Sequence, residues 1–281
     1  MKQLTVSFAG VGGAFADSRL WNNQPVVTLT DDAKKVTILV DCSPDARHSL
    51  QGIGISAADV DAVLFTHFHG DHIHGLEWLG FYNRFVSKAS RKPLIIEPLR
   101  PSATNSVYNT LNGVFQPSMG PIEDADLQLI DYFGFTQCLP FAFKGREPTT
   151  IELNGISFQV AYYKLPHIRQ VDDAQNPRDI GITYGYMLTY AGKSIFFTSD
   201  CQFNSLLMEP IYAYADKVFH DCADYETTSR VHARLVDLLT YPADWQSKTI
   251  LCHHSGKARK GEYGNFTMAM PGHSLVIGHA D

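Results

Sequence analysis

Short apolar runs, each closed by glycine, aspartate or histidine, set the rhythm of this chain. Leu4–Ala9 reads as a strand entering the glycine-rich turn Gly10-Val11-Gly12-Gly13. Val26–Leu29 and Val36–Val40 predict a hairpin about Thr30–Lys35, its second strand closing at Asp41. Pro44–Gly52 predicts a helix, and Val60–Phe65 a short strand running straight into Thr66-His67-Phe68-His69-Gly70-Asp71-His72-Ile73-His74-Gly75. Leu76–Ser87 has helical spacing, with Leu76, Leu79, Tyr82 and Phe85 on its inner side. Leu94–Glu97 predicts a strand, and Ser102–Phe115 a helix that Pro117–Pro121 breaks.

The second half repeats the rhythm. Ile151–Leu153 and Ile156–Tyr162 flank Asn154-Gly155, a strong hairpin turn, and Tyr184–Tyr190 and Ser194–Thr198 flank Ala191-Gly192. Lys217–His220 predicts a strand ending at Asp221, Val231–Leu239 a helix, and Thr249–Cys252 a strand ending at His253-His254. Hairpins followed by strands alternating with helices point to mixed sheets covered by helices in one α/β domain, 1–281, with a lid or insert around 81–150. The polar clusters stand at strand ends, where side chains from distant sequence converge.

Composition narrows the class. The 281 residues carry 23 Lys+Arg against 29 Asp+Glu, a formal charge of −6, which disfavours a sequence-blind grip on long nucleic acid. Five cysteines without a C-x-x-C pair disfavour a disulfide framework and favour a reducing cytoplasm. No apolar run approaches a membrane span, and the N-terminus alternates instead of forming a signal-peptide core, so a cytoplasmic location without membrane contact is expected. The aromatic-rich segment Tyr108–Phe143 reads as core and lid, and the basic stretches Arg84–Arg100 and Lys257–Lys260 as solvated faces.

Twelve histidines are unevenly spread, and His67-x-His69-x-Asp71-His72 is the sharpest signal. Two imidazoles two residues apart on an extended segment can point the same way. The Asp-His pair after them, in a tight turn allowed by Gly70, can reach a second metal beside the first. Imidazole and carboxylate suit zinc, with manganese or iron as alternatives. His74 lies outside the pattern and is not counted as a ligand.

This H-x-H-x-D-H run resembles the signature of the metallo-β-lactamase superfamily. The resemblance continues in order through Leu165-Pro166-His167, Phe197-Thr198-Ser199-Asp200 and Leu251-Cys252-His253. It implies an αββα four-layer sandwich with two divalent ions, Zn2+ first and Mn2+ as alternative, at one edge. The first ion would be held by His67, His69 and His167, the second by Asp71, His72 and His253, with Asp200 bridging and His254 as the substitute for His253. Asp41, the turn 8–13, Asn22-Asn23, Val218-Phe219-His220-Asp221 and Ser229-Arg230-Val231-His232-Ala233 resemble the phosphodiesterase branch that includes transfer-RNA 3′ endonucleases. Gly75-Leu76-Glu77-Trp78-Leu79-Gly80-Phe81 and Phe196–Phe203 are most similar to phage-type anti-Pycsar enzymes.

That resemblance implies hydrolysis of cyclic nucleotides such as cyclic UMP and cyclic CMP, antagonism of cyclic-nucleotide immune signalling, a homodimer, and the host cytoplasm for a phage-encoded chain. A water acidified by the two ions would attack phosphorus, aided by Asp71 as ligand. His232, held by Asp221, would be the general acid for the leaving sugar oxygen. The implied partner is a small anionic nucleotide seated on the ions' local positive charge, with no long nucleic acid. The alternatives are a transfer-RNA 3′ endonuclease, for which no long basic arm is evident, a lactone or thioester hydrolase, and a non-hydrolytic scaffold.

Overall fold

The alternating apolar runs pair into two seven-stranded sheets in the computed structural model, which describes residues 1–87, 91–99, 107–122, 125–141, 147–168, 181–225, 227 and 230–280. The strands are β1 (Lys2–Gly10), β2 (Gln24–Asp31), β3 (Lys34–Val40), β4 (Ala62–Leu64), β5 (Leu94–Pro98), β6 (Pro121–Ile122), β7 (Ala125–Asp126) and β8 (Gly134–Cys138). They continue as β9 (Thr149–Leu153), β10 (Ile156–Pro166), β11 (Ile182–Tyr190), β12 (Lys193–Phe197), β13 (Lys217–Asp221), β14 (Thr249–Cys252), β15 (Thr267–Met268) and β16 (Ser274–Ala280). The first sheet has the order β16-β1-β2-β3-β4-β5-β8 and the second β15-β14-β13-β12-β11-β10-β9, with β6 and β7 a separate hairpin.

Side-chain alternation makes the layers. Leu4, Val6 and Phe8 of β1 face Val160, Tyr186, Phe197 and Phe219 of the other sheet in the central core. Phe219 is the hinge of this packing, 5.6 Å from Phe8 and stacked at 4.7 Å on Phe197. The opposite face of the first sheet (Leu39, Val63, Ile95) packs on α1 (Ala46–Gly52), α3 (Leu76–Phe81) and α4 (Val107–Met119), which lie on either side of the one-turn α2 (Gly70–Ile73) in sequence. The outer face of the second sheet (Phe196, Val218, Leu251) packs on α5 (Ser205–Tyr214) and α6 (Leu235–Leu238), with α7 (Ala243–Lys248) placing Trp245 against Tyr212. The result is the expected αββα sandwich.

Strand direction gathers the polar clusters. β3, β4 and β5 run parallel, as do β12, β13 and β14, so the residues following each emerge at the same end. A side chain on Gly75, just past the histidine run, would collide with the Ser43 carbonyl, so glycine lets α3 dock under the loop after β3.

Several local expectations change. The segment after Phe81 is a π-turn, 82–86, and Phe85 turns outward, 54% exposed, instead of joining Leu76 and Leu79 inside. α4 runs through Pro117 to Met119: the proline forgoes only its own N–H bond to the Gly113 carbonyl, and the Gly120 N–H still donates to the Gln116 carbonyl at 2.8 Å. The predicted helix Val231–Leu239 shrinks to Leu235–Leu238: the Ala223 N–H donates to the Ala233 carbonyl at 2.8 Å and the Leu235 N–H to the Ala223 carbonyl at 2.9 Å, holding Ala233 and Arg234 extended. Asp71 and His72 lie on α2 instead of in a glycine turn, and Gly70 has no left-handed φ. Phe115, Tyr132 and Phe133 are buried beneath the first sheet, as core. Residues 102–106 of the predicted helix, Lys88 and Arg100 of the basic stretch, residues 142–143 and Ser229 lie outside the described residues.

Candidate metal centre

Six strand ends deliver the site: β3 brings Asp41, β4 the 67–72 run, β10 His167, β12 Asp200, β13 Asp221 and β14 His253. Three of the loops carry a residue in the left-handed region, Asp41 (φ 60°), Ser199 (φ 53°) and His253 (φ 56°). Such backbone costs about 1–3 kcal/mol per residue and persists where surrounding bonds hold it. At Asp41 the bonds are visible: its Oδ1 accepts the Thr66 N–H at 2.9 Å, and its Oδ2 accepts the Thr66 hydroxyl at 2.6 Å and His72 Nδ1–H at 2.7 Å.

These contacts fix the histidine tautomers. His72 donates from Nδ1, so its neutral form presents the Nε2 lone pair. The Thr66 hydroxyl spends its proton on Asp41, so it accepts from His67 Nδ1 at 3.0 Å, and His67 also presents Nε2. His167 donates from Nδ1 to the Val231 carbonyl at 3.0 Å, leaving its Nε2 3.2 Å from Nδ1 of His69. His253 Nδ1 lies 3.2 Å from Asp221 Oδ1, turning its Nε2 toward Asp71 and Asp200.

Four overlapping donor groups result among the described residues: a first of His67, His69, His167 and Asp200, a second of Asp71, His72, His253 and Asp200, and two at their margins, Asp200, Asp221, His232 and His253, and Asp41, His67 and His72. In the second, His72 Nε2 and His253 Nε2 each lie 3.2 Å from Asp200 Oδ1 and 3.4 Å from Asp71 Oδ2. In the first, Asp200 Oδ2 lies 3.8 Å from both His67 Nε2 and His167 Nε2. Thus the two oxygens of Asp200 serve different groups. Ligand bonds of about 2.0–2.1 Å in a tetrahedron put neighbouring donor atoms roughly 3.3 Å apart, close to the spacings of the second group. The buried Nε2 atoms of His67 and His72 and Oδ1 of Asp200 have no hydrogen-bond partner, a costly arrangement that a bound cation relieves. The donor set fits divalent metal ions.

Without the ions the centre is electrostatically tense. Burial pushes the His67, His69 and His167 imidazoles below the ordinary histidine value. Burial also disfavours a charged His72 or His253, but carboxylates override it: Asp200 and Asp41 hold His72 well up, and Asp200, Asp221 and Asp71 push His253 up to about 10. Asp200 and Asp71, despite burial, are held well below the carboxylate range by the same histidines.

His232 stands beside this centre, stacked on His253 at 5.0 Å. Its Nδ1 donates to Asp221 Oδ2 at 2.8 Å, and Asp221 raises its proton affinity against burial. The His232 side chain stays 26% exposed. His220 donates from Nδ1 to the Asp221 carbonyl at 2.7 Å and is buried packing. His254 has both ring nitrogens engaged, with Ala269 and Gly256, so His253 alone of the pair joins the donor groups; His74 is exposed and in none of them.

Sequence reasoning overlooked Thr66, which relays Asp41 to His67, and Asp224. Asp224 Oδ1 accepts the Ser255 N–H and hydroxyl at 2.6 and 2.7 Å, and Oδ2 accepts the Lys257 and Ala258 N–H groups at 2.6 and 3.0 Å. The signal was present as a second aspartate three residues past the end of β13.

Comparison with known proteins places the chain in a family. A profile of the family described as "Anti-Pycsar protein Apyc1" matches residues 4–272. Anti-Pycsar protein Apyc1 of Bacillus phage vB_BveM-Goe7 is 29% identical over 280 residues, covering 97% of this chain and 98% of its own. The protein of that name from Paenibacillus sp. (strain J14) is 30% identical over 278 residues, covering 93% and 94%. Among solved structures, the metallo-beta-lactamase fold protein YhfI from Bacillus subtilis superposes with a TM-score of 0.68 at 16% identity, over 98% of this chain and 99% of that one. Human tRNase Z, short form, gives 0.65 at 16% identity over 98% and 100%. The chain therefore belongs to the anti-Pycsar protein Apyc1 family and has the metallo-β-lactamase fold.

Proposed function

We propose that this chain is a metal-dependent phosphodiesterase that opens cyclic nucleotides to nucleoside monophosphates. The observation that carries the reading is Asp200, whose two carboxylate oxygens each face a separate histidine-rich donor group, with the Asp221–His232 pair alongside. Membership of a family named for opposing Pycsar supports a cyclic-nucleotide target, in line with the sequence resemblance.

In this reading His67, His69 and His167 hold one ion, Asp71, His72 and His253 the other, and Asp200 both. Bound there, divalent ions supply positive charge for the phosphate and acidify a water. Zn2+ suits the imidazole-rich set, and Mn2+ is the alternative. The protein's own contribution is orientation and proton transfer. Asp41 and Thr66 fix the rings of His72 and His67, and Asp221 fixes both His253 and His232. His232, kept protonated by Asp221, gives its Nε2 proton to the departing sugar oxygen, which is a poor leaving group without it.

The test is one panel: 3′,5′- and 2′,3′-cyclic nucleotides, a precursor transfer RNA, a generic phosphodiester and a lactone, with His67→Ala as control. Cleavage of a cyclic nucleotide, lost in the variant, is the expected result. Cleavage of the lactone alone or the RNA alone would overturn the reading.

A further inference from the structure

The cavity above the donor groups has a volume of about 710 Å³, the size of a small-molecule site and more than a phosphate needs. Its floor is the His/Asp set. Its outer wall is chemically different: Ala14, Phe15, Ala16, Tyr225, Ser255 and Lys257.

Phe15 is the anomaly. Its side chain is 102% exposed, although burying a phenylalanine is worth about 1.5–3 kcal/mol. The turn bearing it is nonetheless tied down. The Ala16 N–H donates to the Gly13 carbonyl at 3.1 Å, and Asn22 Nδ2 donates to that same carbonyl at 3.2 Å. Gly13 itself lies against the candidate ligand His253, whose ring a Cβ on Gly13 would meet at 3.2 Å. Two residues on, the Phe15 backbone is therefore no more than about 7 Å from Gly13. The residues flanking Phe15 in the chain and lining the same cavity, Gly13, Ala14 and Ala16, are small.

Lys257 is the lone Lys or Arg among the described residues lining the cavity. Asp224 pins its backbone N–H, and its Nζ sits 5.4 Å above the centre of the Tyr225 ring. One face of Tyr225 is thus already covered, whereas Phe15 is free. An exposed ring and one tethered cation, placed beyond a phosphate-sized charged floor, match the parts of a nucleoside.

We propose that this outer wall is the nucleoside subsite, in which Phe15 stacks on the base and Lys257 donates to base or sugar oxygens. It rests on the cyclic-nucleotide reading and adds the residues that hold the nucleoside. Stacking on a ring is tolerant of base identity, so the subsite accepts several bases.

The test compares a 3′,5′-cyclic nucleotide with abasic ribose 3′,5′-cyclic phosphate in wild-type protein, Phe15→Ala and Phe15→Trp, with metal content measured on each. In Phe15→Ala the KM for the nucleotide is expected to rise about 10- to 100-fold with kcat within about threefold, and the preference for nucleotide over abasic substrate to fall by the same factor. Phe15→Trp restores it. An unchanged KM for a nucleotide that the wild type cleaves overturns the subsite alone. Equal losses on both substrates, or lost metal, show a structural role and also overturn it. A wild type that cleaves no cyclic nucleotide overturns the underlying reading and the subsite with it.

Discussion

Replacing Asp41 by Asn probes how a residue outside the two Asp200-sharing ligand sets tunes the metal site. Asp41 is 3% exposed and touches neither Asp71 nor Asp200 through its hydrogen bonds; it acts on His72 directly and on His67 through Thr66. Asn is suited to this position because it tolerates the left-handed φ of 60° that Asp41 adopts, so backbone strain cancels in the comparison. What changes is the charge-assisted bond from His72 Nδ1–H and the acceptor that fixes its tautomer. A hydrogen bond to a charged group contributes about 1.5–3 kcal/mol, and loss of such an orienting partner weakens metal binding roughly 10–100-fold. Zn2+ affinity, measured by competition with a chromophoric chelator, should fall by that factor. Activity should recover at saturating metal. Wild-type affinity in Asp41→Asn would refute the inference that Asp41 orients the donors.

His232→Ala should retain its metal while losing about 10²–10⁴-fold in turnover on cyclic nucleotides and much less on p-nitrophenyl esters, whose leaving group needs no proton; full activity on both would remove it as general acid. Loading the metal-free protein with Zn2+ should release protons in a weakly buffered titration, because His72 and His253 are held protonated at neutral pH and must bind metal as neutral imidazoles. Their raised values stabilise the metal-free fold fully below the unfolded histidine value of about 6.5, and for His253 that contribution fades as pH rises through about 10. Asp224→Ala should cost about 2–3 kcal/mol in urea unfolding by freeing the 255–258 loop. Because the Asp224 carboxyl is held below its usual value by backbone and Ser255 donors that outweigh burial, the difference from wild type should be full above about pH 4 and shrink as acid protonates it.

Mixed sheets covered by helices were legible because the strands are short apolar runs with polar stops, and parallel pairing turns those stops into one site; the four-layer αββα arrangement came through the resemblance. His67, His69, Asp71 and His72 are local in sequence and were legible as a unit; His167, Asp200 and His253 came through ordered resemblance. What escaped was decided by tertiary contacts. β8 (Gly134–Cys138) is a half-buried strand that pairs, among the described residues, with β5 alone, so its pattern is weak. α5 carries Pro210, and its boundary is set by Asn204, whose side chain caps the Leu207 N–H at 3.1 Å. The segment 231–234 has helical spacing, but 231–232 form a bend and Arg234 is extended and bridged to Ala223, a tertiary contact the sequence does not announce, with His232 bonded to Asp221 beside it. Thr66 was invisible as a functional residue because its role depends on Asp41, twenty-five positions earlier.

The most direct test of the account is a titration of chelator-stripped protein with Zn2+ or Mn2+, followed by the rate of 3′,5′-cyclic nucleotide hydrolysis. The account predicts negligible turnover in the stripped protein and a plateau at two ions per chain. Full turnover without metal, or a plateau at one ion, would contradict two donor groups sharing Asp200.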